Sequence, residues 1–187
     1  MKRWILGAIA VALCLAVPAL GESPVPLSDH AELKKMYEND QSDRSPGPDG
    51  IDWAVVGERD ERRRTRTLEL LREGAVRTSG DYLHAAFVFQ HGESVEDARL
   101  ALSLAWISAT IDPENDTARW LTAAAWDRLM MRQDQPQWYG TQFTRPPGES
   151  EWRLYKIAED AVTDEERTAL GVRTLEESKA RVKKMNE

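Results

Sequence analysis

The chain has 187 residues, with 25 basic against 32 acidic side chains, a net charge of −7 and one cysteine. That balance excludes a nucleic-acid or anionic-membrane binder built on a cationic face, because both need surplus Lys and Arg to neutralise phosphates. One cysteine excludes an internal disulfide and a multi-cysteine metal site, so the chain must rely on a hydrophobic core of its own.

Lys2 and Arg3 precede an apolar run from Trp4 to Val17, and Pro18, Ala19, Leu20 and Gly21 then supply a helix breaker and small residues. This pattern predicts a secretory signal peptide over residues 1–21, cut after Gly21, and hence an exported protein, periplasmic or extracellular. The run is too short for a permanent transmembrane anchor, which needs roughly 20 apolar residues. Acylation of Cys14 would need a small residue just before it, where Leu13 stands. Cleavage removes two cations and the only cysteine, taking the charge from −7 to −9.

Residues 22–187 read as one α-helical domain. Asp29 with Glu32 has the form of a capping box opening a short helix that ends near Asn39. The Pro/Gly-rich stretch near 41–51 reads as a loop. Trp53, Val56, Leu68, Leu70 and Leu71 mark a second helix, stopped by Gly74, with Arg62 to Arg64 expected on its solvated face. Tyr82 to Phe89 leaves no polar side and so predicts a helix with neighbours all around, closed by Gly92. Val95 to Ile111 is an alanine-rich helix suited to close packing, and IDPEN turns the chain into a partner helix from Thr117 to about Gln133. A loop near 134–150 comes next. Thr163 with Glu166 and Thr174 with Glu177 then cap two short helices. No alternating run is long enough for a sheet core, so the expected fold is all-α, a compact helical bundle with a repeat-like hairpin at its centre.

The residues that stand out are polar ones in apolar company, since an unpaired buried charge or amide costs several kcal/mol, on the order of a whole protein's net stability. Asp127 falls between Trp120, Ala123, Ala124, Met130 and Met131 on an ideal helix, whereas Arg128 falls on a mixed side near Leu121, Ala125 and Arg132. Adjacency therefore does not make them partners. Asp127 is expected either to pair with a distant arginine, Arg44 or Arg63, or to be an acid with a raised pKa. In the second case His91 could complete a proton-transfer pair with it, and His91 and Asp127 are the candidate catalytic residues.

His84, Phe87, Val88 and His91 share one helical stripe, but no HExxH, HxH or cysteine cluster accompanies the two imidazoles, so no metal or other cofactor is expected. Gln90 and His91 close a buried helix and can either cap unpaired backbone or face a ligand. In the QWYGTQ segment, Gln137 and Gln142 offer amides, Tyr139 and Thr141 hydroxyls, and Trp138 a flat apolar face. Gly140 allows a positive φ. That set suits a sugar, a peptide end or another neutral polar ligand. It equally suits a tight loop whose amides tie down backbone.

Two resemblances add to this reading. Ala98 through IDPEN to Leu129 resembles one tetratricopeptide-type helical hairpin, too little for a solenoid. DQSDR (40–44), FQHG (89–92), AAAWDRLM (123–130), PQWYGTQF (136–143) and DEERTALGV (164–172) together resemble a bacterial family known only as a domain of unknown function. The resemblance implies that Asp40, Arg44, Gln90, His91, Asp127, Arg128, Gln137, Tyr139, Gly140, Thr141 and Gln142 converge. It brings no activity with it. With no GxSxG elbow, Gly-rich phosphate loop or zinc motif, the first expectation is a polar cluster that binds a small polar ligand or a protein partner. The alternatives are a metal-independent enzyme, for instance a hydrolase, and a purely architectural hydrogen-bond network.

Overall fold

The computed structural model describes residues 27–45 and 50–187, so the predicted signal peptide, Cys14 and the centre of the first Pro/Gly-rich loop lie outside the described residues. Among the described residues seven helices follow in order, α1 (Ala31–Asp43), α2 (Trp53–Arg72), α3 (Ser79–Gln90), α4 (Val95–Ile111), α5 (Asp116–Arg132), α6 (Asp164–Ala169) and α7 (Leu175–Met185). The one small sheet pairs β1 (Phe143–Thr144) antiparallel with β2 (Arg153–Leu154). The protein is all-α, as its periodicity predicts.

Helix starts follow local chemistry. Thr78 with Asp81, Ser94 with Asp97, Thr163 with Glu166 and Thr174 with Glu177 each form a reciprocal capping box, satisfying two otherwise orphaned N–H groups at each helix start. The box expected at Asp29 does not form. His30 caps α1 through its ring nitrogen, and Asp29 instead accepts a hydrogen bond from the Thr78 hydroxyl at 2.6 Å. Asp81 does more than cap its own helix, because it also accepts the backbone N–H groups of His30 and Arg77 and so ties the start of α1 to the start of α3. Burial pushes its carboxyl up, but those donors and the Thr78 groups outweigh it and hold it below the ordinary carboxylate range.

Helices α3, α4 and α5 form the centre. Turns of only a few residues, at 91–94 and 112–115, fold α4 back against α3 and α5 back against α4. The facing positions are small: Ala85 and Ala86 on α3, Ala101 and Ala105 on α4, Ala124 and Ala125 on α5 are all buried, so the helix axes approach closely. Phe89, Leu104 and Leu121 fill the space that these alanines leave, and Leu33 from α1 and Leu70 from α2 close the core from the other side. Truncating Phe89 to alanine would cost about 3–5 kcal/mol by the usual cavity penalty.

One boundary and one burial differ from the sequence reading for a single reason. Helix α1 continues past Asn39 to Asp43, and Arg63, expected in solvent with Arg62 and Arg64, is only 8% exposed. Alone, the acidic end of α1 and the arginine run of α2 each look solvated. Packed together, they neutralise one another.

Candidate functional site

The end of α1 and the middle of α2 meet in a network of carboxylates and guanidinium groups. Asp40, 1% exposed, accepts from Arg44 Nη1 at 2.9 Å and from Gln41 Nε2 at 2.8 Å, and it meets His91 Nδ1 at 3.0 Å. Arg44 spans α1 and α2 by also donating to both oxygens of Asp60, the shorter contact being 2.5 Å. Arg63 donates to Asp60 at 2.8 Å and to Asp43, and Arg59 holds the other oxygen of Asp43 at 2.7 Å. Burial raises the Asp43 carboxyl, but the two guanidinium groups prevail and hold it below its usual value. All three carboxylates are thus matched by arginines, which is what makes their burial tolerable.

The same network reaches α3 and α5 at their nearby ends. His91, the C-terminal cap of α3, is oriented by Asp40. Arg132 on α5 donates to the carbonyl of Gly92 at 3.0 Å. Gln90 donates to the carbonyl of Ala124, one helical turn before Arg128, and its Oε1 is buried without a donor among the described residues. Arg128, on the same helix as Arg132, feels the like charges of Arg132 and Arg44. It is largely buried, its Nε is closed off without a partner, and it makes no hydrogen bond or ion pair with any described residue. Burial, together with the like charges of Arg132 and Arg44, pushes its guanidinium down to about 10.

One residue earlier in the chain, Asp127 has the opposite surroundings. It is fully buried, and its two oxygens accept four hydrogen bonds from the QWYGTQ loop: the backbone N–H groups of Trp138, Tyr139 and Thr141 and the Thr141 hydroxyl, at 2.8–2.9 Å. No arginine pairs with it, contrary to the expectation of an Arg44 or Arg63 partner. Nor does His91, whose ring nitrogen is committed to Asp40, so the expected His91–Asp127 proton-transfer pair is not formed. The physical reason is local: Gly140, at a φ of 80°, folds the loop so that its N–H groups converge on one point, and a buried carboxylate is the natural acceptor for that nest. Burial raises the Asp127 carboxyl and the four donors oppose that rise.

The counter-charge that sequence reasoning missed is Arg167 of α6. It is 2% exposed and donates to the carbonyls of Trp138 and Tyr139 at 2.9 and 3.3 Å, with its remaining nitrogen on Asp164 at 3.0 Å. The Trp138–Tyr139 peptide therefore gives its N–H to Asp127 and its C=O to Arg167, so one peptide dipole sits between a buried anion and a buried cation. DEERTALGV carried a hint, since Arg167 lies three residues after the first acid of a capped helix, but a side chain aimed back at a loop some thirty residues earlier leaves no local pattern.

Gln137 and Gln142 complete this loop as backbone clamps. Gln137 exchanges hydrogen bonds with the main chain of Gln142, accepting at 2.8 Å and donating at 2.9 Å, and it also donates to the Tyr155 carbonyl. Gln142 donates to the Ala124 carbonyl at 3.1 Å, sharing that acceptor with Gln90. Both amides are buried and occupied. The residues expected to converge thus form two groups, Asp40, Arg44, His91 and Arg128 in one and Asp127, Gln137, Tyr139, Thr141 and Gln142 in the other, with Gln90 and the Ala124 carbonyl at their seam. On the outer side of the loop, Trp138 packs on Trp126 with ring centroids 4.5 Å apart. With Tyr139, Leu102, Trp106 and Ile107 these rings line an apolar groove of about 540 Å³.

Neither histidine stripe nor acidic cluster gathers three metal-ligating side chains among the described residues. His84 instead stacks on Tyr37 at 4.8 Å, and burial lowers its imidazole below its usual pKa. No family model, curated protein or solved structure matches this chain.

Proposed function

We propose that this is an exported binding protein that takes a small polar ligand, without catalysis, where the ends of α1 and α3 meet α5. The observation that carries the reading is Arg128, a largely buried cation with no partner among the described residues, beside a network in which every carboxylate is already matched. Only the Nε of Arg128 is closed off; its outer nitrogens reach solvent without meeting any described acid, although the chain carries a net charge of −7, and are open to a ligand. Asp40, Arg44, Gln90 and His91 border that place, whereas Asp127, Gln137, Thr141 and Gln142 belong to the scaffold that fixes α5 against its loop.

The test is native mass spectrometry and a thermal-shift screen of polar metabolites, comparing the wild type with Arg128→Gln. Binding that appears in the wild type and is lost in a folded Arg128→Gln protein is the expected result. A ligand held equally by both proteins would place binding elsewhere.

One observation favours a second reading, an enzyme. Asp40 fixes Nδ1 of His91, the arrangement that leaves the other ring nitrogen available as a general base, and His91 is partly open to solvent. His91 replaces the pair with Asp127 in that reading by a pair with Asp40. Among the described residues no hydroxyl is hydrogen-bonded to His91, which is why binding without turnover is preferred. Consumption of a bound compound by the wild type, lost in His91→Gln with binding retained, would decide for the enzyme.

A further inference from the structure

We infer that the ligand of this site carries an anionic group, a carboxylate or a phosphate, that docks on the guanidinium of Arg128. The inference rests on the binding site proposed above and adds the chemistry of what it binds.

Local charge matching is the ground for it. Asp40, Asp43 and Asp60 are engaged by Arg44, Arg59 and Arg63, and His91 also turns to Asp40, so these acids have no capacity left for another cation. Arg132 finds a neutral carbonyl, that of Gly92, and Arg128 finds nothing among the described residues. Positive charge is therefore in surplus at the α5 side of the cluster. A cationic ligand would be repelled by Arg44, Arg128 and Arg132 together, and a neutral one would gain nothing from this surplus of positive charge. An oxyanion matches the guanidinium in sign and in shape, since two parallel N–H groups meet two oxygens of a carboxylate or phosphate. The depressed guanidinium pKa is what an anion would reverse, because a negative charge nearby favours the protonated form.

The experiment is an NMR titration of the arginine Nε–Hε resonances in the full mature protein with inorganic phosphate and, separately, with acetate, at ionic strength held constant with chloride. We expect at least one of the two anions to shift the Arg128 resonance saturably, with half-saturation at least tenfold below any chloride effect. The anion that binds more tightly distinguishes a phosphate ligand from a carboxylate one. Arg128→Gln should weaken that anion at least tenfold, read from the Arg44 and Arg132 resonances. Arg128→Lys, which keeps the charge without the fork, serves if the glutamine variant does not fold, and it should weaken binding as well. The assignment is overturned if neither anion exceeds chloride, or if the anion binds a folded Arg128 variant as tightly as the wild type. Neutral compounds that bind in an Arg128-dependent way while both anions fail would overturn the anionic chemistry and leave the binding site standing.

Discussion

Asp127 and Arg128 are neighbours in α5 and opposite in kind. Around Asp127, four donors converge on one carboxylate, and Arg167 neutralises the far side of the same peptides. Around Arg128 the charged neighbours are Arg132 and Arg44, and no carboxylate among the described residues bonds to it; Asp40, Asp43 and Asp60 are held by other arginines. A 100° step around the helix is enough to separate them, one facing a loop that folds to serve it and the other facing helix ends whose acids are already taken. The contrast teaches that burial of a charge is not by itself a mark of function. A buried charge with its partners inside the chain is architecture, and one whose partners are missing points outward.

The largest effect should come from Asp127→Asn. The substitution places an NH₂ group against N–H donors, so we expect a loss of about 3 kcal/mol or more in urea unfolding, as for a buried network robbed of one member. A variant that melts within a degree or two of the wild type would break the comparison at its firmest point. Next in size is Arg167→Met, with an expected loss of about 2 kcal/mol from two buried carbonyls left without a donor. Because Asp127 and Arg167 act on one peptide, the double variant should lose less than the two single losses added, and simple additivity would show that the shared dipole is not what couples them.

Arg128→Met should act with the opposite sign. Removing a half-buried cation set beside two like charges is expected to raise stability by about 1 kcal/mol while abolishing ligand binding, the usual signature of a residue kept for function at a cost in stability. A clear loss of stability would make Arg128 architectural as well, and the difference between the two regions would disappear.

The smallest effect concerns His84, which lies in neither region. Its imidazole is held below the ordinary value by burial, so the unfolded chain binds the proton more readily, and stability should fall as the pH drops below about 6.5. His84→Phe should flatten that part of the pH profile and keep the stacking on Tyr37. An unchanged slope in the variant would assign the acid sensitivity to other groups.

The comparison also shows what could be read from local pattern. The helices of the centre were legible from their apolar and alanine-rich runs, and α6 and α7 from their T-x-x-E caps, because both are properties of a short window. The unusual position of Asp127 was legible too, since its helical neighbours are all apolar. Its partners were not, because the N–H groups that surround it belong to a loop whose path depends on Gly140 and on Arg167, and backbone donors carry no side-chain signature. The arginine run of α2 misled for a related reason. Arg62, Arg63 and Arg64 look alike in sequence, each with an acid three or four residues before it, and only the approach of α1 with Asp43 buries the middle one.

By itself, then, the amino-acid order determined that this is an acidic, helical protein with alanine-faced helices at its centre, and that Asp127, Arg128 and the QWYGTQ loop need an explanation. Tertiary structure alone decided which of those polar groups are satisfied. Hydrophobic period and capping are encoded within a turn or two of helix, whereas the neutralisation of a buried charge depends on groups 11 to 51 residues away that meet only once the core has formed.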